Sequence, residues 1–479
     1  MTAGTPAADD GSDEALALLR DSGPTAPRRD AAGPRRDEAA PRRDASASGR
    51  NAPASGRDAP AARGRAEQPA SGAHRTPHRR AAPWDEARTV AARAGRSAPA
   101  RAHRVTLDRA LGEVLTAPLT ALTDLPSFDT SAMDGWAVAG PGPWSVQDGG
   151  VLAGHAAPAP LGDGEAVPIA TGARIPSGAT AVIRSEHART DEARTVLQAD
   201  RVVLHGQDIR PRGQECRSGD ALLPAAALVT PAVLGLAAAA GYDELDTVPR
   251  PRVEVLVLGD ELLTQGLPHD GLIRDALGPM LGVWLRALGA DVIGTRRLKD
   301  DAGALLAAVT GSSADVVITT GGTAAGPVDH VHPVLLKAGA ELLVDGVAVR
   351  PGHPMLLAGI GVGKHLVGLP GNPLAAVSGL LTLAEPLLRE LARRTRPLTY
   401  TAPLRNEVQG HPYDTRLVPV VHRAEHVLPL HYNGPAMLRG VAAADGLAVV
   451  APGGARAGQE VEILDLPWSH VGSGDGCFT

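Results

Sequence analysis

The residues that could do chemistry in this chain are glycines, carboxylates and a few hydroxyls placed at the ends of short apolar runs. Residues 314–330 read ADVVITTGGTAAGPVDH. Val316, Val317 and Ile318, with β-branched flanks, predict a buried strand over 315–319. Gly321-Gly322 ends that strand, a small-residue loop with Gly326 follows, and a helix is expected over 330–337. Glycines let the backbone approach an anion, and a helix start offers unpaired N–H groups with partial positive charge. Asp329, at the loop's exit, is placed to cap the helix or to hold a hard cation beside the anion. A Gly-Gly after a strand also serves as an ordinary turn. Farther upstream, Thr171-Gly172 and Arg174 could offer a hydroxyl and a guanidinium to an anion, or could make a plain hairpin turn. The loop-like stretch 125–138, LPSFDTSAMDGWAV, gathers Ser, Thr, Asp and Trp.

These loops need elements to hold them. From residue 251 the pattern alternates strands (252–258, 291–298, 365–369) with helices (about 271–288, 300–309, 374–391). Such alternation predicts a parallel sheet covered on both faces, with ligands at the carboxyl ends of its strands. Loops 259–261, 300–301, 321–329 and 368–373 all fall at those ends, which points to one site for an anion and a cation. The fold class expected is therefore α/β and β multidomain. Residues 84–125 with 217–250 form a helical linker, 126–216 a β-rich insertion, 251–396 the α/β part and 397–467 a small C-terminal β-barrel or sheet. In the linker, helices are expected from Trp84, over 106–116, and from Pro231 to a stop at Gly241, the last packing beside the first two.

Composition sets the bounds. The 479 residues are 43% hydrophobic and only 2% aromatic, enough for about three or four domains. A net charge of −6 makes no case for nucleic acid or membrane binding, and no apolar run reaches membrane-spanning length. Cys216 and Cys477 fit no metal spacing and suggest a reduced, cytoplasmic protein. Residues 1–83 are Ala, Pro, Gly, Ser, Arg and Asp, with PRRD recurring from Pro27, Pro34 and Pro41. Proline in that seven-residue period excludes a coiled coil, so a solvated, disordered tail is expected; residues 468–479 are a C-terminal tail.

Seven motifs then occur in a recognisable order: PSFDTSAMDGWAV, IATGARIPSGATAVI, GQDIRPRGQE, GDEL, TTGG with Gly326 and Asp329, GVAVRPGHP and GLPGNP. Together they resemble the MoeA family, the molybdopterin molybdenumtransferases, over about residues 84–467. The resemblance implies an elongated homodimer with four subdomains and a molybdopterin-binding-like α/β part. It implies adenylylated molybdopterin and molybdate as substrates, and Mg2+ as the divalent cation. It assigns catalytic positions to Asp134, Thr171, Glu261 and Asp329, and metal positions to Glu261, Asp301 and Asp329. Substrate contacts fall on Gly321, Gly322, Gly326, Gly371 and Asn372, and Pro351 and Pro354 match a PGxP turn. The site would lie between the α/β part of one subunit and the SAMDG region of the other.

Several positions depart from the family pattern. Val257-Leu258 replace Ser-Thr, Asp275-Ala276-Leu277 stand for DSN, and Ala324, Pro327, His353, Ala375 and Gln214 replace polar or charged residues. One hydrogen bond to a charged group is worth roughly 1.5–3 kcal/mol, so these losses raise an alternative, a degenerate paralogue that binds without turnover. The retained loop acids favour the enzyme. Because residues 1–83 have almost nothing to bury, a chain beginning at Ala82 should keep the melting temperature and oligomeric state of the full chain. A loss of several degrees would show that the tail packs.

Overall fold

The computed structural model describes residues 81–155, 158–324 and 329–468. The expected N-terminal tail up to residue 80, Gly326, Pro327 and residues 469–479 with Cys477 lie outside the described residues. The chain divides after residue 74 into two units, and the second carries every element below.

Arg252–Leu258 is buried at every position but its first, and Val316–Thr320 is buried throughout. Strands apolar on both faces need cover on both sides. They occupy adjacent places in a six-stranded sheet ordered Asp291–Leu298, Arg252–Leu258, Val316–Thr320, Lys364–Leu369, Leu356–Gly361, Glu341–Asp345. On one face Val253, Val255 and Ile318 pack with Leu281, Trp284 and Leu387. On the other, Leu256 and Val317 pack with Leu305, Val309 and Leu335. Each such side chain, fully buried, contributes about 1.5–3 kcal/mol.

The sheet is mixed, which corrects the expectation of a parallel one. The first four strands are parallel, while Leu356–Gly361 pairs antiparallel with both of its neighbours. A tight hairpin joins it to Lys364–Leu369, with Gly363 at φ +68° in the turn. Antiparallel neighbours need no helical crossover, so this pair left no helix-period signal to read.

Two helix expectations also change. The helix placed over about 271–288 begins only at Leu277, because Ile273–Arg274 pairs with Leu262–Leu263. The helix placed over 106–116 is a single turn, Leu107–Ala110. Gly112, at φ +80°, ends it, and Val114–Leu115 pairs with Glu244–Val248. With His103–Thr106 these make a three-stranded sheet, so the linker is mixed, not helical.

The helix Pro231–Ala239, capped by Thr230, packs with Leu107, Leu115 and Leu245 as expected. The helix Trp84–Ser97 does not join it. Its stripe Trp84, Ala87, Ala91, Gly95 faces the α/β part instead. Trp84 Nε1 donates to Thr382 Oγ1 (3.1 Å), and at Gly95 a Cβ would lie 2.5 Å from the Leu387 carbonyl oxygen. Small residues at helical spacing allow that approach.

The insertion forms a six-stranded sheet that includes Gly135–Val138, Glu165–Ile169 and Ala181–Arg184. The C-terminal sheet gathers Thr401–Pro403, Thr415–Arg423, Gly446–Val450 and Glu460–Asp465 over Leu404, Val420 and Ile463. Among the described residues no helix is long and apolar enough to cross a membrane.

The Gly95 contact predicts its own test. Gly95→Val should cost about 1–3 kcal/mol by overpacking. Gly235→Ala, in a helix with open space at its Cβ, should stabilise by about 0.4–1 kcal/mol. Equal melting temperatures for both variants would contradict the helix contact.

Candidate functional site

Strand register brings four strand ends to one edge. Leu258 lies opposite Leu298, and Thr320 lies between Val257 and Leu369. The loops that follow these ends therefore start side by side. Gly321 N–H donates to the Leu369 carbonyl (2.8 Å), and a Cβ on Gly371 would sit 3.7 Å from Gly321 Cα. Gly321 and Gly322 both adopt left-handed backbone, φ +81° and +67°, the conformation that makes glycine necessary there. Asn372 is exposed and N-caps the helix Pro373–Gly379 without a side-chain cap bond.

The PGxP turn closes on the same helix. Gly352 has φ +119°, and a Cβ there would come within 3.1 Å of the Ala375 carbonyl oxygen and of Ser378 Cβ. Pro351 and Pro354 flank this contact, both half-buried. His353, which stands where the family has lysine, turns inward, its Nδ1 donating to the Val347 carbonyl (2.8 Å).

The carboxylates divide into distinct settings. Glu261 is exposed and folds back over Gly259, where a Cβ would meet its Oε2 at 2.5 Å. Asp329 is half-buried, one residue before His330, which is the residue at the N-cap of Val331–Lys337. Asp301 stands at the start of a helix. Its Oδ1 accepts the Ala304 N–H (2.6 Å), capping Ala302–Gly311. Asp300 instead reaches across loops, accepting the Asp260 N–H (3.4 Å).

Sequence reasoning passed over Asp275 and Arg297. Asp275 is nearly buried and accepts from Arg297 Nη2 (2.6 Å) and from the Gly278 N–H (2.8 Å). Arg297 also donates to the Leu262 carbonyl (3.0 Å), so the pair ties loop 259–275 to the sheet edge. The signal for Asp275 lay in the DSN-like position, visible there only as two lost neighbours. Arg297 had none, since one arginine in a strand has no pattern.

Among the described residues, no group of three or more His, Cys, Asp or Glu side chains is gathered to hold a metal ion. The donors at the edge are nonetheless all oxygen, the set a hard cation takes. Mg2+ is commonly held by one or two carboxylates, with phosphate and water completing its shell. Glu261 and Asp329 fit that pattern.

Asp134 and Thr171 meet elsewhere, on the inserted sheet. Gly135 pairs with Ile169, which brings the two turns together at an exposed corner. Asp134 Oδ1 accepts the Thr171 N–H at 2.7 Å. That backbone bond, then the Thr171 hydroxyl, holds the Asp134 carboxyl below the usual carboxylate range. Arg174, at the same corner, lies with its guanidinium 5.4 Å from the Phe128 ring centre.

An α/β sheet that collects glycine turns and carboxylates at its carboxyl edge defines a class of proteins that bind anionic ligands at that edge. Within that class, the chain belongs to the MoeA family. The MoeA N-terminal region (domain I and II) matches residues 82–241, the probable molybdopterin binding domain residues 254–390, and the MoeA C-terminal region (domain IV) residues 401–466. The chain is 30% identical over 387 residues to a molybdopterin molybdenumtransferase of Staphylococcus aureus strain COL, covering 75% of this chain and 90% of that one. It is 28% identical over 381 residues to the Staphylococcus epidermidis protein of the same name, covering 76% and 90%. The crystal structure of a molybdopterin biosynthesis MoeA protein from Pyrococcus horikosii matches with a TM-score of 0.63 at 26% identity, over 81% of this chain and 99% of that one.

The Asp134–Thr171 contact can be checked by carboxyl NMR titration. In Thr171→Ala the backbone donor remains, and Asp134 should still titrate below about 3.9, the unperturbed value. In Thr171→Pro the donor is gone, and its titration should climb toward that value. Identical titration in parent and Thr171→Pro would remove the contact.

Proposed function

We propose that the protein transfers molybdenum from molybdate into adenylylated molybdopterin, with release of AMP, in molybdenum cofactor biosynthesis. The observation that carries this reading is the convergence of four loops on one sheet edge in a chain of the MoeA family. Relatives aligned over 90% of their length bear the name molybdopterin molybdenumtransferase. The degenerate alternative finds no support among them.

Backbone N–H groups of Gly322 and Gly371 receive the phosphates, while Gly321, whose own N–H is held by the Leu369 carbonyl, sets the turn that presents them. Side-chain substitution does not remove such donors, so the losses at Ala324 and Ala375 leave the cradle in place. The Asn372 amide faces the same mouth, and Pro351 and Pro354 stiffen its wall. Glu261 and Asp329 are the carboxylates that would hold Mg2+, with Asp275 and Arg297 keeping the intervening loop in register. Held there, Mg2+ would supply charge neutralisation for the pyrophosphate oxygens. Asp301 keeps its helix cap.

Asp134 and Thr171 reach this site from a second copy of the chain. A homodimer joins two surfaces that lie on different sheets within one chain. Asp134 stays ionised and orients Thr171 toward the substrate. A cytoplasmic location accords with the free, buried Cys216.

Asp329→Asn keeps shape and removes charge. Its stability should stay within about 1 kcal/mol of the parent. Cleavage of adenylylated molybdopterin should fall at least about tenfold, the scale of one charged contact, and should need more magnesium. Parent-like cleavage across a magnesium titration would sink the metal role, and no cleavage by the unmutated protein would sink the enzyme reading.

A further inference from the structure

A second concave site lies far from the sheet edge. The helical run 373–391 starts at the edge, and its cavity-lining residues Leu381, Glu385 and Arg389 lie roughly 12–24 Å along it at helical rise. The cavity holds about 470 Å³, within the range of small-molecule sites. Its walls come from segments in all three family-matched regions: Arg88 and Leu228, then Glu385 and Arg389, then Glu462 and Leu466.

The wall carries four arginines, Arg88, Arg389, Arg394 and Arg396, against the three acids Glu385, Glu462 and Asp465. Arg88 and Arg389 both pair with one carboxylate, Glu385, and all three side chains are between 11% and 16% exposed. Arg88 also donates to the Leu381 carbonyl, freed where the helix widens into a π turn at Leu380–Ala384. Burial pushes both guanidiniums down to about 10, and Arg396 adds further repulsion to each. Glu462 offsets part of this for Arg88, and Glu390 does so for Arg389. Asp465 is occupied by the Tyr400 hydroxyl (2.6 Å). Guanidiniums do not escape by losing protons at neutral pH, so a third positive group at the mouth leaves room for an added anion. Leu398, 95% exposed, and Leu228, 42% exposed, present apolar surface beside that charge.

We infer that this cavity is a ligand site separate from the sheet edge, taking a small organic anion with a carboxylate or phosphate head on Arg88, Arg389 and Arg396 and an apolar body against Leu398 and Leu228. Guanidinium forks suit either head, and the apolar lip excludes bare inorganic ions from competing on equal terms. Because the cavity touches all three matched regions, its ligand would also brace them against one another.

Calorimetry on the full chain tests this with four probes: benzoate, phenyl phosphate, inorganic phosphate and benzyl alcohol. Benzoate or phenyl phosphate should bind at one site with Kd on the order of 1 mM, as expected for about ten non-hydrogen atoms. The tighter of the two identifies the head group. Arg396→Ala, at an exposed position, should weaken it at least about tenfold, and Leu398→Asp should do the same by placing a negative charge at the lip. The inference is overturned if neither organic anion saturates by about 10 mM. It is equally overturned if benzyl alcohol binds as well as they do, if inorganic phosphate binds as well and loses that binding in Arg396→Ala, or if either variant binds the organic anion like the parent. None of these readouts depends on molybdenum transfer.

Discussion

The architecture depends on one constraint: Val316–Thr320 is buried throughout and has parallel neighbours on both sides. A parallel pair puts the same ends of its strands at the same edge, so every loop leaving that edge is forced into one neighbourhood. The Gly321 N–H to Leu369 carbonyl bond continues the ladder one residue past the strand and locks two of those loops together. Left-handed backbone at Gly321 and Gly322 then turns the chain so that amide groups can face outward. The site is thus a consequence of strand direction first and of side chains second.

That order explains how a pocket could lose hydroxyls and keep its purpose. The positions replaced by Val257, Leu258, Ala324 and Ala375 are side-chain positions, and Val257, Leu258 and Ala375 are buried. The phosphate cradle proposed here is built from main chain, which substitution leaves intact. What side chains must still supply is charge, and Glu261, Asp275 and Asp329 remain at the edge. His353 supplies none of it, because its Nδ1 is spent on the Val347 carbonyl.

Motif residues were legible in the sequence because glycine and carboxylate in strand-end loops have few other reasons to recur in order. The edge loops were placed correctly from strand and helix alternation alone. Elements without a period were not. The Leu356–Gly361 hairpin strand carries no crossover helix, and the 106–116 run has helical spacing that Gly112 and the Glu244–Val248 ladder override. The partner of Trp84–Ser97 was misjudged because its stripe of Trp and small residues fits any close helix packing; only the facing surface around Thr382 and Leu387 decides it. A carboxylate at a helix start, such as Asp301, reads the same in sequence whether it caps or ligates. Arg297 acts through tertiary contacts to Asp275 and Leu262, which no local pattern announces.

The central claim is that one working site takes its sheet edge from one copy of the chain and its Asp134 corner from another. Mixing two singly impaired proteins, Asp134→Asn and Asp329→Asn, under conditions that let subunits exchange tests it directly. Half of the reassorted dimers would be mixed, each with one intact site of two, so about a quarter of parental molybdenum transfer should return. If the mixture stays as impaired as its components after subunit exchange is verified, Asp134 and Asp329 do not serve one site across two copies, and the account fails.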